Sequence, residues 1–128
     1  MARRRSIEIE GVRHGAPIPM GARIDNIVYS SAIMGIDPET GALAEDPVRQ
    51  VRLAFANLLA FLEAADVTAE DVVKMTVFLA DMSLRDTVNE EWLKLFPNEA
   101  SRPARHAIHS PLNNNMLVQL EVVCVAER

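Results

Sequence analysis

Apolar positions recur along this chain with two different periods, and the changes between them divide it into strands and helices. Ser6–Glu10 alternates polar and apolar side chains, the period of a strand with one buried face. A stretch rich in glycine and proline follows (Gly15, Pro17, Pro19, Gly21) and reads as loop. Ile27–Met34 is apolar enough for a second strand, and Gly35–Ala44 carries turn signals in Asp37-Pro38 and Thr40-Gly41. At Asp46-Pro47 the period becomes helical: aspartate is a good N-cap, and proline fits the first helical position. Val48, Val51, Phe55, Leu58, Leu59, Leu62 and Ala65 then fall on one broad face.

Thr68–Asp71 has the form of a capping turn, leading into a strand over Val72–Ala80. In that strand Val73, Met75, Val77 and Leu79 share one face and Phe78 takes the other. A shorter helix is predicted over Thr87–Phe96, with Val88, Trp92, Leu95 and Phe96 apolar and Pro97 ending it. Two strands, Ala104–Ser110 and Leu117–Ala126, close the chain around a turn at Pro111–Asn115. The fold class that follows is α+β, in the order β-β-(β)-α-β-α-β-β, with two helices on one face of the sheet. In the last strand Val118, Leu120, Val122, Cys124 and Ala126 form an apolar face for the helices to cover. Its other face, Leu117, Gln119, Glu121, Val123 and Val125, is too apolar for an ordinary solvent face. Two helices cannot cover both sides, so the second side is expected to be a subunit interface.

Length and charge narrow the function. A chain of 128 residues has room for one domain, residues 1–128, with one core. Its net charge of −5 lacks the footprint of a nucleic-acid binder, and the one basic run, Arg3-Arg4-Arg5, reads as a frayed, solvated end. No apolar run approaches the roughly 20 residues that span a bilayer, and no apolar stretch follows the basic start as in a signal peptide. Cys124, the single cysteine, cannot form an intrachain disulfide and reads as a buried small hydrophobe. A reducing cytoplasm is the expected compartment. Gly35–Gly41 lacks the Lys-Ser/Thr of a phosphate loop, and no serine sits in a nucleophile elbow. His106 and His109 point to opposite sides of their strand, so no metal site is expected.

Several segments carry a resemblance. Asn26–Ser31, Gly35–Gly41, Val73–Leu79, Thr87–Asn89 and Arg102–His106 stand in the order seen in the reactive-intermediate deaminase (RidA/YjgF) family, and Leu117–Val123 resembles that family's closing strand. The resemblance spans about residues 15 to 127. It implies a chorismate-mutase-like subunit and a homotrimer whose sheets form a central barrel, with three clefts between neighbouring subunits. It also implies hydrolysis of enamines and imines to a 2-keto acid and ammonia without a cofactor, as by a 2-iminobutanoate/2-iminopropanoate deaminase.

The chemistry explains the residue types the family uses. Its substrate has a carboxylate beside an electrophilic C=N carbon, and a guanidinium can hold that carboxylate with two parallel hydrogen bonds. Arg105 matches the family's carboxylate-binding arginine; a surface or interface ion-pair arginine is the plainer alternative. Ser31 and Asn89 match pocket positions, against the alternatives of a strand-end hydroxyl and a helix cap. Three positions depart from the family pattern. Gln119 stands where the family has its water-activating glutamate, and a glutamine can orient water but cannot take its proton. Ile18 stands where many members have a tyrosine, and Ala107 where many have a cysteine. Glu121 shares the face of Gln119 but lies about 6–7 Å further along and would need a slip or bulge to replace it. His109, on the same side of its strand as Arg105, is a candidate to handle the proton, since histidine titrates near neutral pH; a hydrogen-bonded structural histidine is the alternative.

Three readings of function remain open at this level. One is a hydrolase of a small imine, enamine or related aminated carboxylate. Another is a non-catalytic module that binds a small carboxylate or keto acid. The third is the endoribonuclease or translation-inhibitor role attributed to some relatives, against which the acidic charge argues.

Overall fold

The computed structural model describes residues 3–127; residues 1, 2 and 128 lie outside it. Seven strands and two helices follow in order: β1 (Arg5–Ile7), β2 (Gly21–Ile24), β3 (Ile27–Ser30), β4 (Ile33–Met34), α1 (Pro47–Ala64), β5 (Val72–Leu79), α2 (Arg85–Leu95), β6 (Ala104–His109) and β7 (Val118–Val125). The strands form one mixed sheet in the order β1-β2-β3-β7-β5-β6, with β4 also pairing β7. Pairing is antiparallel throughout, except that β5 and β6 run parallel.

Helix α1 begins as its sequence requires. Asp46 accepts a hydrogen bond from the Arg49 backbone N–H at 2.9 Å, and Pro47 occupies the first turn. Its buried face includes Val51, Phe55, Leu58 and Leu62, whereas Leu59 is turned outward. Two buried amides tie this helix to the strands. Asn57 donates to the carbonyls of Met34 and Ile36, both at 2.8 Å. Gln50 donates to the Ala44 carbonyl at 3.0 Å and accepts from the Leu117 N–H at 2.6 Å. Gly35 allows this approach, because a Cβ there would run into the Gln50 backbone carbonyl.

The C-terminal end of α1 has no basic residue of its own, and the first strands supply the cations. Arg23 Nη1 donates to the Ala65 carbonyl at 2.8 Å, and Arg5 reaches the Ala64 carbonyl at 3.4 Å. Guanidinium groups suit the negative end of the helix dipole. The basic run is therefore not simply a frayed end: Arg5 opens β1, and Arg3 forms an exposed ion pair with Asp25 at 3.5 Å.

Three elements differ from the pattern reading. The glycine- and proline-rich stretch ends in a strand, β2, which pairs with β3 across an Asp25-Asn26 turn where Asp25 adopts φ 52°. Ile27–Met34 is two strands, and the Ser30 hydroxyl spans the break by accepting from the Val122 N–H at 2.9 Å. In β5 a register irregularity between Val72 and Lys74 returns Val72 to the core and turns Val73 out, 51% exposed. Both helices pack over the face carrying Met75, Val77, Leu79, Leu120 and Val122. The other face is bare and partly apolar: Ile27 pairs with Val125 and Tyr29 with Val123, and Tyr29 is 58% exposed.

Candidate functional site

Parallel neighbours need a crossover, and α2 provides it between β5 and β6. The helix is thereby brought over one edge of the sheet. Met75 pairs with Arg105, Val77 with Ala107 and Leu79 with His109. Met75, Val77 and Leu79 face the core, so Arg105, Ala107 and His109 share the helix-covered side. Arg105, half-buried there, meets α2 directly. Its Nη2 donates to Asn89 Oδ1 at 2.7 Å, and its guanidinium carbon lies 5.0 Å from the centroid of the Trp92 ring.

Neither partner is charged. Among the described residues no carboxylate forms an ion pair with Arg105. The guanidinium is held below its ordinary pKa, first by burial and second by the like charge of Arg85. Both effects press on the cation, and a bound anion would relieve them. A guanidinium has five N–H donors, and the asparagine engages one of its nitrogens.

Asn89 is the fifth residue of α2, too far along to cap it, so its side chain serves Arg105. Ala107 is a small half-buried side chain on the sheet between Arg105 and His109. His109 lies four residues, about 13 Å of strand, beyond Arg105. Its exposed ring places Nε2 3.3 Å from the Ala80 carbonyl oxygen.

The other predicted positions lie elsewhere in the chain. The Ser31 hydroxyl donates to the Pro19 carbonyl at 2.8 Å, and the Ser31 N–H donates to the Met20 carbonyl at 2.8 Å. Ser31 thus fastens the loop that carries Ile18, whose side chain is 50% exposed. Gln119 projects from the bare face, paired with Phe78 and Met34, its Nε2 3.2 Å from Met116 Sδ. The ladder is regular there, with Glu121 opposite Thr76, so Glu121 has not slipped into the place of Gln119. A single chain therefore joins Arg105, Asn89 and Ala107 at the β6 edge and leaves Ser31, Ile18 and Gln119 apart from them.

Two features escaped the sequence reading. Trp92 is more than part of an apolar stripe, because its ring faces the guanidinium of Arg105. Arg85 was not singled out, although Arg85, Asn89 and Trp92 are spaced by four and three, the signature of one helix face. Concavities of about 580 Å³, beside His14 and Ile18, and about 420 Å³, beside Phe96 and Arg102, do not include Arg105. Among the described residues no three His, Cys, Asp or Glu side chains converge as metal ligands.

The family model described as Endoribonuclease L-PSP matches residues 18–128. The chain belongs to this family, the YjgF/RidA family. The 2-iminobutanoate/2-iminopropanoate deaminase of Salmonella typhimurium is 33% identical over 111 residues, which cover 85% of this chain and 87% of that protein. RidA from the Antarctic bacterium Psychrobacter superposes with a TM-score of 0.86 at 30% identity, covering 94% of this chain and 98% of that one. Escherichia coli TdcF with bound serine superposes with a TM-score of 0.85 at 26% identity, covering 96% and 99%. The α+β class, with its mixed sheet and two helices, is the one these relatives share.

Proposed function

We propose that this chain hydrolyses a small imine or enamine carboxylate to a keto acid and ammonia, holding the substrate carboxylate on Arg105 in clefts shared between the subunits of a homotrimer. The observation that carries this reading is the half-buried Arg105 guanidinium, oriented by a neutral amide and an indole ring with no carboxylate to balance it. Family membership and the deaminases among the relatives support the reaction class.

The bare sheet face supports assembly, since Ile27, Tyr29, Val73 and Val125 all stand out from it or its edge as large exposed hydrophobics. Arg105 and Gln119 look out from opposite faces of one sheet, so a cleft holding both is built from two copies. Single-domain subunits over residues 1–128 suffice for this. A reducing cytoplasm suits the lone buried Cys124, and no helix among the described residues is long and apolar enough to cross a membrane.

The chemistry is a hydrolysis without change of oxidation state, so it calls for no redox cofactor. An enamine first takes a proton on carbon to become the imine. Water then adds to the C=N carbon, protons reach the nitrogen, the C–N bond breaks, and ammonia leaves a keto group behind. Arg105 fixes the carbon by gripping the adjacent carboxylate. Ser31 and Asn89 border the ligand, Ile18 lines the rim, and Ala107 leaves room on the floor. Gln119 orients the water through its amide, while the substrate nitrogen or His109 manages the proton.

A second reading, binding of a small carboxylate without turnover, is favoured by Gln119 itself, which cannot act as a base. One experiment separates the two. Imines are generated in situ with an amino-acid oxidase, and semicarbazone formation is followed with wild type and Arg105→Ala, with keto-acid binding measured in parallel. Faster imine loss with wild type alone supports hydrolysis. Keto-acid binding without imine loss supports the binding module. Equal activity and equal affinity in Arg105→Ala would refute the assignment of Arg105. Light scattering should give about three times the 14.2 kDa chain mass, and a monodisperse monomer would remove the shared cleft.

A further inference from the structure

We propose that Arg85 forms a second anion contact beside Arg105, and that the cleft thereby selects imines bearing a second carboxylate, those of dicarboxylic amino acids. The inference rests on the reading of Arg105 as the carboxylate anchor and adds the substrate class.

The argument begins with spacing. Arg85, Asn89 and Trp92 follow one another by four and three residues along α2, so they stand on one helix face. Asn89 and Trp92 both engage the Arg105 guanidinium, which fixes that face toward β6. Arg85 therefore lies one turn further on, about 6 Å along the helix axis from Asn89. A crossover helix runs back along the sheet, so the start of α2 lies near the C-terminal ends of β5 and β6, where His109 pairs with Leu79. Arg85 is thus displaced from Arg105 toward Ala107 and His109. Ala107 is the small, half-buried side chain between those two strand positions and adds little bulk there.

Charge gives the second part of the argument. Among the described residues neither Arg85 nor Arg105 forms an ion pair. The pair sits in a chain with 18 acidic and 13 basic residues, so the lack of acid here is local. Asp86 and Glu90, the nearest acids on the helix, are each one position past the stripe and turn about 100° away from it. Asp81 is engaged by Ser83, accepting from its N–H at 2.9 Å and its hydroxyl at 2.7 Å. The like charge of Arg85 also bears on Arg105, second to burial, in holding that guanidinium below its ordinary pKa. Two cations kept together without a counter-ion suit a ligand carrying two negative groups. One carboxylate would take the planar grip of Arg105 and the other would meet Arg85, with the C=N carbon beside the first.

Calorimetry with stable product analogues tests this. Wild type, Arg85→Gln and Arg105→Ala are titrated at low salt with 2-oxoglutarate, which has two carboxylates, and with 2-oxobutyrate, which has one. A solvent-accessible charge contact is worth about 5-fold in affinity, so wild type should prefer 2-oxoglutarate by about that factor. Arg85→Gln should bring the ratio to about one, chiefly by weakening 2-oxoglutarate, and Arg85→Lys should restore part of the preference. Arg105→Ala should lose both ligands. Equal affinities in wild type, or a preference that survives Arg85→Gln, would overturn the second contact while leaving the anchor in place. Full binding of both ligands by Arg105→Ala would overturn the anchor, and the second contact with it.

Discussion

Replacing Asn89 by aspartate changes one atom type at the centre of the proposed site and separates a ligand-binding arginine from a structural one. The Asn89 oxygen accepts from Arg105 Nη2 at 2.7 Å, and an aspartate of the same shape keeps that contact while adding a charge. The asparagine contact already has a cationic donor, and aspartate turns it into an ion pair, so the folded chain should gain about 0.5–1 kcal/mol, the lower value reflecting the partial exposure of the pair. Ligand binding should move the other way. A substrate carboxylate on the free edge of the guanidinium would lie about 5 Å from the new charge. At an effective dielectric of about 20–40, like charges at that distance repel by about 2–3 kcal/mol, or about 30- to 150-fold in affinity. The assay pairs thermal melting with calorimetric titration of a keto acid. Asn89→Asp should melt slightly higher and bind far more weakly. Unchanged affinity would show that the ligand does not sit on this guanidinium. Weaker binding together with a large loss of stability would refute the claim that the substitution merely adds an ion pair to the existing hydrogen bond.

The remaining predictions concern Gln119 and Cys124. Wild type should turn over imines of small amino acids slowly and Gln119→Glu faster, because a general base is worth about 10²–10⁴-fold; wild-type rates equal to those of a relative with glutamate at this position would refute that role for Gln119. The Cys124 thiol is pushed up to about 12, by burial first and then by the charge of Asp71. The native protein should therefore resist an aromatic disulfide reagent at pH 8 and react only when unfolded; equal rates in both states would contradict the burial. In the unfolded chain the thiol ionises near its ordinary value of 9.0, so the stability it contributes is present below that pH and is lost as pH rises toward 12. Denaturant melts across that window should record the decline.

Much of the fold was legible in the chain itself. The start of α1 is written in Asp46-Pro47, since capping and the fixed φ of proline are local effects. The strict alternation of β7 fixed which of its side chains enter the core, and the structure buries Val118, Leu120, Val122 and Cys124 accordingly. Arg105 and Asn89 were visible as candidates through the family resemblance, and their contact gives both a common geometry. Other features depend on partners distant in sequence. Strand β2 carries too short a pattern to announce itself and exists by pairing with β3. Val73 faces outward because the irregularity beside β7 inserts a residue into the ladder, which no period within β5 reveals. The pairing of Arg105 with Asn89 and Trp92, and its exposure to the charge of Arg85, follow from the parallel crossover that lays α2 over β6. Local propensity and alternation act through neighbours in sequence and can be read there. Which charge remains without a counter-ion depends on how separate segments pack, and only the tertiary structure decides that.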